Sequence, residues 1–395
     1  MLPVRPCRYG QSVTEHSILA FSNGLSARLA PRSRHVGVFM GAGTSKACGL
    51  PDIVQLTEAV KGDLAEPLKG QFSTLVSVLN LEEALTKLRR IAAIAGTESI
   101  GGLNADQARQ LDAAICDAVI ARLTQPATSM EPILLFAAWV ARATYARPVE
   151  LFTVNYDLLI ESALESWGVP YFDGFVGTLR AAFRADLVET LPSADEQSIP
   201  AFFARLWKLH GSANWGWDAD DLAEVRRMGA PIAPGQIAAI YPSDSKYDQS
   251  RRMPFVVLQD RLRKALNEPE TLMLVSGYAW GDQHINEMFF EATIRRPRSE
   301  VIAFCYSKIP DELAAKALIT PNLQVVAPAE AILGGVRAAW AAEGETPHEG
   351  VWKDGKARFG DFSALAAFLA KSAMPSVRLE EQIAAMLAEQ VAPNA

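Results

Sequence analysis

Residues 35 to 52 read His-Val-Gly-Val-Phe-Met-Gly-Ala-Gly-Thr-Ser-Lys-Ala-Cys-Gly-Leu-Pro-Asp. Val36, Val38, Phe39 and Met40 form a short apolar run that predicts a buried strand. Gly41 and Gly43 then permit a sharp turn and a close backbone approach to a ligand. Thr44 and Ser45 are good residues for starting a helix, whose N-terminus favours an anion. Strand, glycine turn and helix start together describe a phosphate cradle formed by Gly41, Ala42, Gly43, Thr44 and Ser45. An ordinary tight strand-to-helix turn satisfies the same stretch. The dinucleotide pattern G-x-G-x-x-G is incomplete, since Lys46 stands where the third glycine belongs. No acidic strand end follows about 20 residues on, as a standard dinucleotide unit requires.

Working outward, the chain has 395 residues, 49% of them hydrophobic and 21% charged, with a net charge of −7. That length supports one large or two ordinary domains. The acidic balance argues against a general nucleic-acid coat and against direct sequence-specific nucleic-acid binding. Two basic clusters, Arg251, Arg252, Arg261, Arg263 and Lys264, and Arg295, Arg296 and Arg298, read as solvated helix faces. Cys7, Cys48, Cys116 and Cys305 contain no C-x-x-C pair, so no zinc ribbon and no metal is expected. The N-terminus lacks a signal peptide's apolar region. The longest apolar run, Ile133 to Ala141, is about half a membrane span. A cytoplasmic location is expected.

A helix over Ser17 to Ala30 is predicted before the first strand. Residues 54 to 146 show apolar residues at helical spacing, which predicts a long helical insertion. A second core strand, Val149 to Val154, leads into Asn155-Tyr156-Asp157 and a helix carrying Leu159, Ala163 and Trp167. Residues 170 to 200 and 218 to 250 look irregular, and Leu206 to Leu209 reads as a strand ending in His210-Gly211-Ser212. Strands Leu272 to Ser276, Val301 to Cys305 and Leu323 to Val326 then alternate with helices to about Ile294, over Pro310 to Leu318 and over Ala329 to Ala342. Such alternation predicts an α/β fold with a doubly wound, parallel, Rossmann-like sheet. Residues 343 to 360 look like a linker before two closing helices, Asp361 to Lys371 and Val377 to Gln390. The expected organisation is an N-terminal segment 1–34, a catalytic domain 35–342 with the insertion 54–146, and a linker with C-terminal helices over 343–395.

In a parallel sheet, ligands sit at the carboxyl ends of the strands. Four predicted strands end in polar or glycine-rich sequence: Gly41 to Ser45, Asn155 to Asp157, His210 to Ser212 and Gly277-Tyr278-Ala279. Singly these read as turn residues; together they point to one crevice. Gly41-Ala42-Gly43-Thr44-Ser45 with Gly49-Leu50-Pro51-Asp52 resembles the sirtuin signature. Thr153 to Asp157 is similar to the sirtuin T-x-N-x-D, Lys208 to Ser212 to its H-G-S, and Val275 to Ala279 to its later glycine segment, with Ala279 where the family has serine. The likeness spans roughly residues 33 to 330.

Departures narrow the branch. The zinc module of protein-deacylating sirtuins has no cysteine pairs here, and Asp52-Ile53-Val54 replaces their Asp-Phe-Arg. The helical insertion stands in place of the zinc module. These features and the run Gly277 to Asn286 resemble bacterial sirtuin-like proteins of anti-phage defence. The resemblance implies NAD as substrate and an NAD hydrolase that cleaves the nicotinamide–ribose bond. It implies Asn155 and His210 as catalytic groups, with Asp157 orienting Asn155 or the ribose, or else capping a helix. Asp52 would bind at the nicotinamide end or simply cap a turn, and Gly277 and Tyr278 would lie along the ribose and phosphate. It also implies a homo-oligomer working with a HerA-type ATPase or an Argonaute-like protein. A protein deacylase and a non-catalytic NAD or ADP-ribose sensor remain the alternatives.

Overall fold

Strand Val36–Met40 is buried along its whole length, and it lies inside a ten-stranded sheet rather than at an edge. The computed structural model describes residues 15–189, 204–217, 224–230, 232, 237–239, 253–342, 350–373 and 376–391. Strand order across the sheet is Glu15–Ser17, Val336–Ala341, Glu330–Leu333, Leu323–Val326, Glu300–Phe304, Leu272–Ser276, Val36–Met40, Val149–Thr153, Ala204–Lys208 and Tyr171–Phe172. The pairings from Leu323–Val326 to Tyr171–Phe172 are all parallel. The chain passes from Val36–Met40 to Val149–Thr153 on one side and reaches Leu272–Ser276 on the other. Val36–Met40 is therefore the point where the winding reverses, and the crevice of such a sheet opens at its carboxyl end.

Alternation along that strand explains the layers. Val36, Val38 and Met40 belong to a core shared with helices Ile18–Leu29, Glu131–Arg142, Leu159–Ser166 and Phe362–Ala373. Phe39 enters the opposite core with helices Phe255–Asn267, Gln283–Arg295 and Asp311–Ile319. Covering both faces is what lets apolar residues occupy both sides of each strand. The doubly wound α/β fold predicted from the sequence is the fold observed.

Three stretches differ from expectation. The helix predicted over Ala329 to Ala342 is an antiparallel hairpin of Glu330–Leu333 and Val336–Ala341. Gly334 and Gly335 have φ of +59° and +82°, the two-residue turn geometry that closes a hairpin and that a helix cannot contain. Short strands from the segments expected to be irregular join Gly211–Trp217 in a second sheet, in the order Ile237–Ala239, Gly211–Trp217, Val225–Met228, Arg180–Phe183 and Phe175–Val176. Within 343 to 360, residues 343–349 lie outside the described residues. The remainder forms a hairpin of Trp352–Lys353 and Lys356–Ala357 and buries Val351, Ala357 and Phe359 in the main core.

Residues 54 to 146 are helical as expected but divide between two cores. Helices Ile53–Asp63, Leu68–Val76, Leu81–Ile94 and Ala105–Leu123 enclose an apolar centre of their own, including Val60, Phe72, Leu88 and Leu111. Reciprocal side-chain caps start three of them: Asp52 with Gln55, Asn80 with Glu83, and Asn104 with Gln107. Each such cap contributes about 1 kcal/mol. Helix Glu131–Arg142 instead packs under the main sheet.

Of the basic clusters, Arg251 and Arg252 lie outside the described residues. Arg261 is buried and paired with Glu150, while Arg263 pairs with Asp260 and Lys264 with Glu189. Arg261 is thus a core ion-pair residue rather than part of a solvated face.

Candidate active site

The glycine turn is fixed first by backbone. Gly41 N–H donates to Ser276 O at 3.0 Å and Gly43 N–H to Gly277 O at 2.8 Å, locking the turn onto the neighbouring strand end. A Cβ on Gly41 would sit 2.6 Å from Gly277 O, and one on Gly43 would sit 2.7 Å from Gly277 Cα. Gly277 has φ of +66°, and its own Cβ would lie 2.5 Å from Thr44 N. The three glycines are therefore required by contact between two strand ends, whereas the sequence predicts for Gly41 and Gly43 a sharp turn and a close approach to a ligand. Ala42 opens helix Ala42–Ala47 and is exposed, whereas Thr44 and Ser45 are buried.

The second strand end folds onto this turn. Thr153 Oγ1 donates to Met40 O and accepts from Asn155 N–H, each at 3.0 Å, which sets the direction of the Asn155 side chain. Asn155 Nδ2 lies 3.1 Å from Gly41 O, 3.0 Å from Thr44 Oγ1 and 2.9 Å from Ser45 Oγ. Ser45 Oγ in turn donates to Asp157 Oδ2 at 2.6 Å. Asp157 Oδ1 accepts from Leu159 N–H at 3.1 Å, tying the carboxylate to the start of helix Leu159–Ser166. Asp157 thus orients Asn155 through the Ser45 hydroxyl and steadies a helix start. Below the turn lies a cavity, lined by Thr44, Ser45, Asn155 and Asp157 with Met40, Ile133 and Ile160.

His210 is delivered by the next strand. Leu209 N–H donates to Thr153 O at 2.8 Å, so the chain after Ala204–Lys208 follows the second strand end. His210 is buried, and its Nε2 lies 3.5 Å from Asp282 Oδ2. Asp282 Oδ1 caps helix Gln283–Arg295, accepting from His284 N–H at 3.1 Å and Ile285 N–H at 3.3 Å. Tyr278 hydroxyl donates to Asn286 Oδ1 at 2.9 Å and meets the backbone of Asp282. Burial raises the Tyr278 hydroxyl above its usual range, and the Asp282 carboxylate pushes the same way, with a smaller push from Glu82. Trp280, at φ of +60°, stacks on Phe290 and supports the loop from below.

The predicted residues fall into two bonded groups. Asn155, Asp157, Ser45 and Thr44 form one, and His210 and Tyr278 meet at Asp282 in the other. Gly43 to Gly277 and Leu209 to Thr153 join them through backbone. Asp52 stands apart: it caps helix Ile53–Asp63 and pairs with Lys46 at 2.5 Å, which is the capping alternative weighed from the sequence. His284 is exposed.

Sequence reasoning missed Asp282 as a partner of His210; an aspartate before a helix carries only a capping signal. It also assigned no role to Lys208. The helical lobe reaches the same place, since Tyr156 packs with Ile120, Leu123 and Ile232.

Among the described residues, no three His, Cys, Asp or Glu side chains gather as a metal site, and no helix is long and apolar enough to cross a membrane. Cys48, Cys116 and Cys305 are unpaired thiols, with burial pushing Cys48 and Cys305 up to about 12; Cys7 lies outside the described residues.

The chain is an α/β protein with a Rossmann-like sheet, and polar groups converge at its switch point. Residues 149–326 match the family model described as a SIR2-like domain, which supports a sirtuin-like family and NAD-related chemistry. Strand Val36–Met40, outside that match, fills the gap between two of its strands. No curated protein matches the chain.

Proposed function

We propose that the protein is an NAD glycohydrolase, converting NAD and water to ADP-ribose and nicotinamide. The observation that carries this reading is the Asn155 amide bonded into the glycine turn at the sheet's switch point, with His210 on the adjoining strand end. The backbone and side chains of residues 41 to 45, with Gly277 and Tyr278, would seat the diphosphate and ribose. Seating ligand oxygens there would exchange the internal bonds of Asn155 and Ser45 for bonds to the sugar. Asn155 would hold the ribose hydroxyls and the attacking water in line, a positioning contribution. The bond from ribose C1′ to nicotinamide breaks through an oxocarbenium-like state, as in glycoside cleavage. Water adds to C1′, its proton passes to the His210 imidazole, and nicotinamide departs with the bonding electron pair. Asp282 would steady the protonated imidazole.

The sirtuin-like match supports NAD, and the branch resemblance supports defence by NAD depletion in the cytoplasm. On this reading 35–342 is the catalytic domain, and a homo-oligomer acts with a HerA-type ATPase or Argonaute-like partner through the helical lobe and C-terminal helices. Incubation of the purified chain with NAD, alone and with a HerA-type ATPase or Argonaute-like partner, and chromatography of the products is the test. Nicotinamide and ADP-ribose are expected; acetyl-ADP-ribose formed only with an acetylated peptide would give the deacylase instead.

A further inference from the structure

Lys208 closes the strand that delivers His210, and it is almost wholly buried at 2% exposure. Strand register sets it opposite Thr153, whose hydroxyl directs Asn155. Its ammonium has three N–H groups and three acceptors: Tyr156 O at 3.4 Å, Asp157 O, and Glu161 Oε1 at 2.8 Å. Two of these are backbone carbonyls of the turn that follows Asn155. Ala213 N–H reaches the same Tyr156 O at 2.8 Å, so the strand ends bracket that turn from both sides of His210. Glu161 alone would have sufficed to neutralise the charge. Burial raises the Glu161 carboxyl above its usual range, while Lys208 opposes that rise.

We infer that Lys208 is a positioning residue: its ammonium holds the carbonyls of residues 156 and 157, and so fixes the Asn155 amide and Asp157 carboxylate relative to His210. The physical need is clear. The carbonyls of Tyr156 and Asp157 turn inward to this ammonium, and a misplacement of about 1 Å of the groups the turn carries costs on the order of 100-fold in rate. A buried cation with directed acceptors donates to the Asp157 carbonyl and adds a further donor to the Tyr156 carbonyl, which restrains the turn. This inference rests on the proposed NAD chemistry for its kinetic consequence, but its structural content can be measured without turnover.

The test compares Lys208→Met, which keeps the unbranched apolar stem without the charge, with Glu161→Gln, which keeps an acceptor for the ammonium. Hydrogen–deuterium exchange in the full-length protein is read over residues 153–159, with NAD turnover as a second readout. Lys208→Met is expected to speed exchange there on the order of tenfold while the sheet strands keep their protection. The same variant should lower kcat roughly 10- to 100-fold with KM for NAD within about twofold. Glu161→Gln should leave both readouts close to wild type. Unchanged exchange over 153–159 in folded Lys208→Met overturns the inference, as does an equal loss in Glu161→Gln, which would make the ion pair the cause. Should Lys208→Met not fold, Lys208→Met/Glu161→Gln, which leaves no buried charge at the pair, takes its place; failure of that variant to fold makes Lys208 a folding residue and also overturns the inference. A wild-type protein that releases no nicotinamide, alone or with a HerA-type ATPase or Argonaute-like partner, defeats the NAD hydrolase reading, while exchange still decides on Lys208.

Discussion

Ser45 Oγ donates to Asp157 Oδ2 at 2.6 Å across 112 residues of chain, and the same oxygen lies 2.9 Å from the Asn155 amide nitrogen. The hydroxyl bridges a carboxylate and an amide, so Ser45 holds the Asn155 side chain in place. Removing it with Ser45→Ala leaves a buried carboxylate oxygen without this donor. We expect a stability loss of about 1–3 kcal/mol, read as a lower midpoint in urea unfolding. An unchanged midpoint would show that the bridge carries no energy.

Asn155→Ala and His210→Ala are each expected to lower nicotinamide release by about 100-fold or more, since positioning and general-base contributions are of that order. Circular dichroism should show both variants folded. Full activity in both would end the hydrolase reading.

Asp282→Asn keeps a competent helix cap but removes the charge that faces His210. The expected result is a fall in kcat of roughly tenfold with the thermal midpoint nearly unchanged. A variant with wild-type kcat would mean that the 3.5 Å approach of the two side chains has no consequence for turnover.

Gly277→Ala places a methyl group 2.5 Å from Thr44 N at a backbone angle of +66°. Gly168→Ala has a similar angle, +63°, but nothing within 4 Å of the added carbon. The angle alone costs about 1–2 kcal/mol, so Gly168→Ala should show roughly that loss. Gly277→Ala should exceed it by a further 1–3 kcal/mol or so of overpacking. Equal losses in thermal unfolding would mean that the two strand ends separate readily.

His35 is buried with Nδ1 2.9 Å from Thr271 Oγ1. Burial holds its pKa below the usual value; Glu150 and Glu268 oppose that shift, and Arg261 and Arg147 reinforce it. The unfolded chain therefore takes up a proton before the folded one does. The contribution of His35 to stability is present above about pH 6.5 and is lost as pH falls below it. His35→Gln should flatten the decline in thermal midpoint between pH 7 and pH 5. A decline as steep as wild type would place the titration elsewhere.

Much of this protein was legible along the chain. The buried strand Val36–Met40, the glycine turn, and the polar strand ends at Asn155, His210 and Gly277 each carry a local signal, because burial period and turn geometry act over a few residues. The helical lobe was equally plain from its 3.6-residue spacing. The hairpin Glu330–Leu333 and Val336–Ala341 was not: alanine-rich sequence favours a helix locally, and only pairing beside Leu323–Val326 overrides it. The second sheet escaped for the same reason, since short strands gain their stability from neighbours distant in sequence.

Sequence alone determined the alternation that makes an α/β fold and the residue types at its strand ends, since each depends on spacing within a single element. Tertiary structure decided which of those residues touch. That Gly41 and Gly43 abut Gly277, that Ser45 links Asn155 to Asp157, and that Asp282 faces His210 are contacts between segments separated by tens to hundreds of residues. No local pattern encodes such contacts; they exist because parallel strands bring their carboxyl ends to one edge of the sheet.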